Sequence, residues 1–242
     1  MKFDFLNKNG EILSGKLEIP TGAPKAFALF AHCFTCSKDL VASNVISKTL
    51  SENDIAVLRF DFTGLGNSQG DFANTNFSSN VEDLLAACEH LGKEYEHPAV
   101  LIGHSLGGAA VLKAATQLES VKAVVTIGAP SCTGHVSHLF EKDIDTIESE
   151  GQAEVNLVGR KFTIKKQFID DIKEAEVLKG LKNFKKALMV MHSPIDNTVS
   201  IEHASNIFHA AKHPKSFVTL DNADHLLLKK EDATYVGNLI AA

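Results

Sequence analysis

Apolar positions along the chain fall into two kinds of segment that alternate. Lys25–Phe34, Ile55–Phe62, Ala99–Gly103, Lys122–Gly128, Lys185–His192 and Ser216–Asp221 are short runs rich in β-branched or aromatic residues. Strands buried on both faces read this way, as in a mostly parallel sheet covered by helices. Ser43–Glu52, Asn80–Lys93, Leu106–Gln117, Ile201–Ala211 and a last segment from about Glu231 instead show helical spacing. The alternation predicts an α/β fold with one central sheet. Ahead of it, Lys2–Asn7 and Glu11–Ile19 flank Asn9-Gly10, a dipeptide suited to positive φ, which predicts an antiparallel hairpin at one sheet edge.

One connection breaks the rhythm. More than fifty residues separate the run ending at Gly128 from the one beginning at Lys185, whereas βα connections usually take about two to six. Glu141–Glu154 is acidic, Glu154–Ile164 alternates around Gly159-Arg160 as a small hairpin would, and Lys165–Leu178 has helical spacing at Phe168, Ile169 and Ile172. The segment 131–182 therefore reads as an insertion in a single domain spanning 1–242, a cap placed to wall a pocket at the strand ends.

Composition narrows the class of protein. With 242 residues, 44% hydrophobic and 22% charged, the chain can bury a core of its own. The net charge of -6 and the absence of a long basic stripe argue against nucleic acid, and pairs such as Lys165-Lys166 and Lys185-Lys186 read as solvated faces. Asp4 interrupts what would be the apolar core of a secretory signal, and no apolar run reaches about 18 residues, so no membrane association and a cytoplasmic location are expected. Four scattered cysteines fit a reducing compartment better than a disulfide framework.

The chemistry-bearing residues sit where the runs end. Gly103-His104-Ser105-Leu106-Gly107 follows a strand and opens a helix whose Gly107-Gly108-Ala109-Ala110 removes side-chain bulk. A nucleophile elbow needs small residues at these offsets, because the sharp turn brings strand and helix backbones together. A serine hydroxyl needs a base, and the base an orienting carboxylate. Asp196 lies on the loop after Ala187–Met191, and His225 follows the last strand run. Asp221 and Asp224 are rival carboxylates, but Asp224 adjoins His225 and Asp221 lies close along the strand end. The N–H groups of Leu106 and of Phe34, with Cys33 as rival, are the expected oxyanion donors. His32, Cys33 and His104 beside them are expected to contact substrate.

Taken together, Ala31-His32-Cys33-Phe34-Thr35, Arg59-Phe60-Asp61-Phe62-Thr63-Gly64-Leu65-Gly66-Asn67-Ser68, Gly103-His104-Ser105-Leu106-Gly107-Gly108, Asp196 and His225 resemble the α/β-hydrolase superfamily across almost the whole chain. The order Ser, Asp, His is that of the superfamily. The resemblance implies an α/β-hydrolase fold, with a mostly parallel eight-stranded sheet, an N-terminal hairpin and a small cap. Spacing and cap are similar to small-cap esterases such as the cinnamoyl (feruloyl) esterases. His32-Cys33-Phe34-Thr35-Cys36 more closely resembles the hydrolase half of bacterial proteins in which an OsmC-like domain follows. That likeness implies a serine esterase acting on a small-molecule ester, with no cofactor or metal, a homodimer as one assembly, and an OsmC-like partner domain absent from these 242 residues. The chain departs from the pattern at two His-Gly positions, which here read His32-Cys33 and His192-Ser193.

Cys33-x-x-Cys36 also admits a redox reading, although without a second Cys/His pair at zinc spacing it does not suggest a metal. Two alternatives to the esterase therefore stand: a perhydrolase or thiol/peroxide-linked hydrolase using Cys33 and Cys36, and a non-catalytic interaction module. As simple pocket-lining residues, the two cysteines are expected to be free thiols.

Overall fold

The computed structural model describes residues 1–157 and 159–242; Val158, inside the hairpin expected of the insertion, lies outside them. In chain order the strands are β1 (Phe5–Leu6), β2 (Ile12–Leu13), β3 (Gly15–Glu18), β4 (Ala26–Ala31), β5 (Ile55–Phe60), β6 (Val100–His104), β7 (Ala123–Ile127), β8 (Gln152–Leu157), β9 (Arg160–Lys165), β10 (Ala187–His192) and β11 (Lys215–Thr219). The helices are α1 (Val41–Glu52), α2 (Phe77–Glu94), α3 (Leu106–Ala115), α4 (Ile144–Glu150), α5 (Lys166–Glu174), α6 (Ile201–Ala210) and α7 (Lys230–Ala241).

The central sheet has the order β11-β10-β7-β6-β4-β5-β3. Its neighbours pair in parallel except β3, which runs antiparallel to β5. Seven strands form it, not eight. The second arm of the N-terminal hairpin was expected to be continuous over Glu11–Ile19, but it breaks at Ser14. There the Ser14 N–H donates to Ser68 Oγ at 2.8 Å and the Ser14 carbonyl accepts from Asp61 N–H at 3.0 Å. The chain after β5 thus takes the groups that would have carried the ladder through. β1 and β2 pair only with each other, as a separate two-stranded ribbon.

Both faces of the sheet are buried, which is why its strands read as unbroken apolar runs. Along β4, Ala28 and Phe30 point into one core and Phe27, Leu29 and Ala31 into the other. The first core is closed by Ile46 and Leu50 of α1 with Ala233 and Val236 of α7. The second is closed by Leu84 and Leu91 of α2, Val111 and Leu112 of α3, and Ile207 of α6. Each of these Val, Leu and Ile side chains, taken fully from water, contributes about 1.5–3 kcal/mol.

α2 begins at Phe77, three residues ahead of the expected Asn80. Asn76 and Ser79 form a capping box: Asn76 Oδ1 accepts from Ser79 N–H at 2.8 Å, and Ser79 Oγ accepts from Asn76 N–H at 2.9 Å. These bonds satisfy N–H groups left open at a helix start.

The insertion folds as a 3-10 stretch over Thr133–Asp143, then α4, the hairpin β8–β9 and α5. Phe168, Ile169 and Ile172 form the buried face of α5. The insert is tied to the sheet layer: Asn76 Nδ2 donates to Gln167 Oε1 at 2.6 Å, and Arg160 Nη1 donates to the Thr35 carbonyl at 3.1 Å. Lys186, expected on a solvated face, instead donates from Nζ to the carbonyls of Leu118 and Val121 at 2.6 and 2.8 Å, closing the turn after α3. Burial of its ammonium lowers its pKa. Among the described residues no helix is long and apolar enough to cross a membrane.

Candidate active site

Ser105 stands between β6 and α3 at φ 55° and ψ -125°, a conformation that an L-residue adopts only under constraint. The neighbouring glycines make the constraint possible. A Cβ at Gly107 would lie 2.5 Å from the carbonyl oxygens of both Ala31 and His32, and one at Gly103 would lie 2.4 Å from the Gly107 carbonyl oxygen. The Ser105 N–H donates to the Ile127 carbonyl at 2.8 Å, so the elbow is also pinned to β7.

The three residues expected to form a relay meet. His225 Nε2 lies 3.0 Å from Ser105 Oγ, and His225 Nδ1 lies 2.7 Å from Asp196 Oδ2. In this geometry Nδ1–H donates to the carboxylate while Nε2 is left to accept the serine proton. The second oxygen, Asp196 Oδ1, accepts from the N–H groups of Thr198 and Val199 at 2.8 and 2.9 Å. Burial would raise the Asp196 carboxyl, but the bonds from His225, Val199 and Thr198 outweigh it and hold it below the usual carboxylate value. Of the rival carboxylates, Asp224 is engaged by the N–H groups of Leu226 and Leu228 at 2.9 and 3.1 Å, and so caps its own loop.

Of the residues expected to touch substrate, His32 and Cys33 line the narrow cavity beside Leu106, whereas His104 is not among its lining residues. Both histidine rings are 1% exposed and bonded to backbone. His104 Nε2–H donates to the His225 carbonyl at 2.6 Å. His32 Nδ1–H donates to the Cys33 carbonyl at 2.8 Å, and its Nε2 accepts from Phe62 N–H at 3.4 Å. Burial lowers the pKa of both rings, that of His104 to about 4, which keeps the His104 ring neutral at pH 7. Their bonds tie together the backbone of the loops around Ser105.

The loop after β4 carries the expected second oxyanion donor. Among the described residues the Phe34 N–H has no hydrogen-bond acceptor. Leu106, first residue of α3, likewise lacks an intrahelical acceptor for its N–H. Phe34, Leu106 and Gly107 line one narrow cavity with Phe62, Leu65 and Phe72. Cys33 and Cys36, expected as thiols, are joined by a disulfide with a Cα–Cα distance of 5.4 Å. The turn between them brings the two residues together, a proximity that spacing alone does not settle.

Two supports went unnoticed in the sequence. Asp61, fully buried, accepts from Lys38 N–H at 2.6 Å, Lys38 Nζ at 2.9 Å and Asn67 N–H at 3.0 Å. It clamps the far end of the Cys33–Cys36 loop, a role that its place in the Arg59–Ser68 motif and as a carboxylate inside the apolar run Phe60-Asp61-Phe62 did not reveal. Gly128, at φ +56°, packs under the relay: a Cβ there would lie 3.4 Å from both Asp196 Oδ2 and His225 Nδ1. Among the described residues no group of three His, Cys, Asp or Glu is arranged to hold a metal ion.

Comparison with known proteins agrees with this architecture. The family described as "Serine aminopeptidase, S33" (Hydrolase_4) matches residues 22–147. The crystal structure of an esterase domain from a Rhodothermus marinus protein is 47% identical, with a TM-score of 0.81 over 100% of this chain and 95% of that one. Est1E from Butyrivibrio proteoclasticus, solved with ferulic acid bound, shares the fold at 19% identity, with a TM-score of 0.82 over 98% and 96% of the two chains. Monoglyceride lipase of Rattus norvegicus is 31% identical over 114 residues, 46% of this chain and 37% of the lipase. With the family matched by just over half of this chain and the fold shared throughout, the chain belongs to the S33 (Hydrolase_4) family of α/β-hydrolases.

Proposed function

We propose that this hydrolase is a serine esterase, cleaving carboxylic esters of small or aromatic acyl groups through an acyl-serine intermediate. The observation that carries the reading is the continuous relay Ser105 Oγ, His225 and Asp196, with separations of 3.0 and 2.7 Å. Ser105 attacks the ester carbonyl while His225 Nε2 takes its proton, and the Asp196 carboxylate stabilises the imidazolium. The oxyanion is received by the N–H groups of Leu106 and Phe34. Collapse of the tetrahedral adduct returns the proton from His225 to the departing alcohol. Water then attacks the acyl-serine by the same route.

The aromatic part of the acyl preference is supported by the rings next to the donor loop: Phe34 lies with its centroid 5.8 Å from Phe72 and 5.4 Å from Phe168 of the cap. The esterase domain of the 47% identical relative supports ester cleavage, and the ferulic acid found in Est1E supports an aromatic acyl group. Cys33 and Cys36 are closed as a disulfide, so neither is a free thiol beside the proposed nucleophile.

Turnover of p-nitrophenyl acetate, butyrate and an aromatic p-nitrophenyl ester by wild type and Ser105→Ala tests the reading. Wild-type turnover should exceed that of the variant by at least about 10³-fold. Equal rates would overturn it.

A further inference from the structure

The disulfide lies across a single turn of the loop that carries the proposed oxyanion donor. Cys36 N–H donates to the Cys33 carbonyl at 3.1 Å, so Cys33, Phe34, Thr35 and Cys36 form a β-turn. The S–S bond joins its first and last residues. Thr35, third in the turn, has φ +59°. Turns of this kind favour Gly or Asn there, and a β-branched residue resists the left-handed region. Both flanks of the turn are anchored separately, by His32 to the Cys33 carbonyl and by Asp61 to Lys38. Within the turn itself, besides the S–S link, the bonds are that of Cys36 N–H, that of Arg160 to the Thr35 carbonyl, and that of Thr35 Oγ1 to the Phe34 carbonyl at 2.7 Å. Phe34, whose N–H has no acceptor within the fold among the described residues, sits second in this covalently closed turn.

From this arrangement we infer that the Cys33–Cys36 disulfide is a positioning element for ester hydrolysis, holding the Phe34 N–H toward the oxyanion, and that its reduction reversibly lowers turnover. The inference rests on the esterase reading above. Cys33 is buried whereas Cys36 is half-buried, so Cys36 is the more accessible end. A thiolate of a small dithiol attacks Cys36 Sγ, the S–S bond breaks, and Cys33 leaves as a thiolate that takes a proton. The second thiol of the reagent then closes on the mixed disulfide and releases Cys36 as a thiol. The loop gains two electrons and two protons, and the reagent becomes a cyclic disulfide. Hydrogen peroxide reverses the change, being reduced to water as the two thiols are oxidised. In the reduced loop the turn is free to take Thr35 out of the left-handed region, and the Phe34 N–H loses its fixed direction. Loss of an oxyanion donor costs about 10²–10³ in kcat when complete. A donor that is loosened but retained should cost about tenfold or more, with little effect on KM.

The test uses the full chain. Wild type is reduced with dithiothreitol, freed of reagent under argon, and assayed with p-nitrophenyl acetate beside oxidised wild type and Ser105→Ala. Alkylation and mass measurement report whether Cys33 and Cys36 are open, and far-UV circular dichroism reports whether the fold persists. The expected result is a kcat at least about tenfold lower on reduction, with KM within about threefold, and recovery after hydrogen peroxide. Cys33→Ser/Cys36→Ser should hold the lower kcat under both conditions. Cys132→Ser, which removes the exposed free thiol, should respond as wild type does. Full kcat in folded protein with both cysteines alkylated would overturn the inference, as would wild-type kcat in the double variant. If that variant does not fold, the reduced wild type decides alone. Oxidised wild type no faster than Ser105→Ala would overturn the esterase reading and this inference with it; faster turnover that ignores reduction would overturn this inference only.

Discussion

His104 donates its Nε2–H to the backbone carbonyl of His225 at 2.6 Å, so the residue before the proposed nucleophile holds the loop that carries the proposed base. Burial, reinforced by the nearby His225, pushes the His104 ring from 6.5 down to about 4. The unfolded chain therefore takes up this proton first on acidification. The stability contributed by the neutral ring is complete above pH 6.5 and is lost as pH falls toward 4. Between pH 7.5 and 4, wild type should lose about 3 kcal/mol relative to His104→Gln. Urea denaturation across that range measures it.

Asp83 should give the opposite slope. Burial raises its carboxyl from 3.8 to about 6, although Thr63 N–H and Thr63 Oγ donate to it at 2.9 and 3.0 Å. Here the folded chain keeps the proton longer than the unfolded one. Stability is therefore present below pH 3.8 and is lost as pH rises through about 6. Wild type should lose about 3 kcal/mol relative to Asp83→Asn between pH 3.5 and 7.5, measured in the same way.

Asp196→Asn should leave the fold nearly intact, because an amide oxygen can still accept from the Thr198 and Val199 N–H groups. Its NH₂ would then face His225 Nδ1, forcing the proton onto Nε2, where it blocks removal of the Ser105 proton. Turnover of p-nitrophenyl acetate should fall by about 10⁴-fold, the size such a tautomer change has in serine proteases. A loss below tenfold would separate Asp196 from the relay.

Gly107→Ala should be a costly single methyl in the elbow. Its Cβ would meet two carbonyl oxygens at 2.5 Å, both backbone atoms at the end of β4 that cannot rotate away. A loss of at least about 2–3 kcal/mol is expected, with reduced kcat from displacement of the Phe34 loop. Gly151→Ala, where a Cβ meets nothing within 4 Å, serves as the control. Its own cost should be limited to the left-handed backbone at φ +83°, about 1–2 kcal/mol.

Much of the scaffold was legible because its signals are local. Runs buried on both faces, helical spacing and the glycines around Ser105 can each be read within about a dozen residues, and the expected helices end within a few residues of the observed ones. Misreadings arose where a distant group intervened. The strand expected over Glu11–Ile19 breaks because Ser68 and Asp61 take up the Ser14 backbone, and Lys186 is half-buried because two carbonyls beyond α3 converge on it.

The same division runs through the site. By itself the sequence determined that a serine, an acid and a histidine end three strands of one parallel sheet, because strand ends and the elbow are marked by neighbouring residues. Only the tertiary structure decided which carboxylate faces His225, that the His32 and His104 rings are bonded to loop backbone, and that Cys33 meets Cys36 across a left-handed Thr35. Those outcomes depend on distances between groups far apart in the chain and on the sign of one φ angle, neither of which is carried by residue type or spacing.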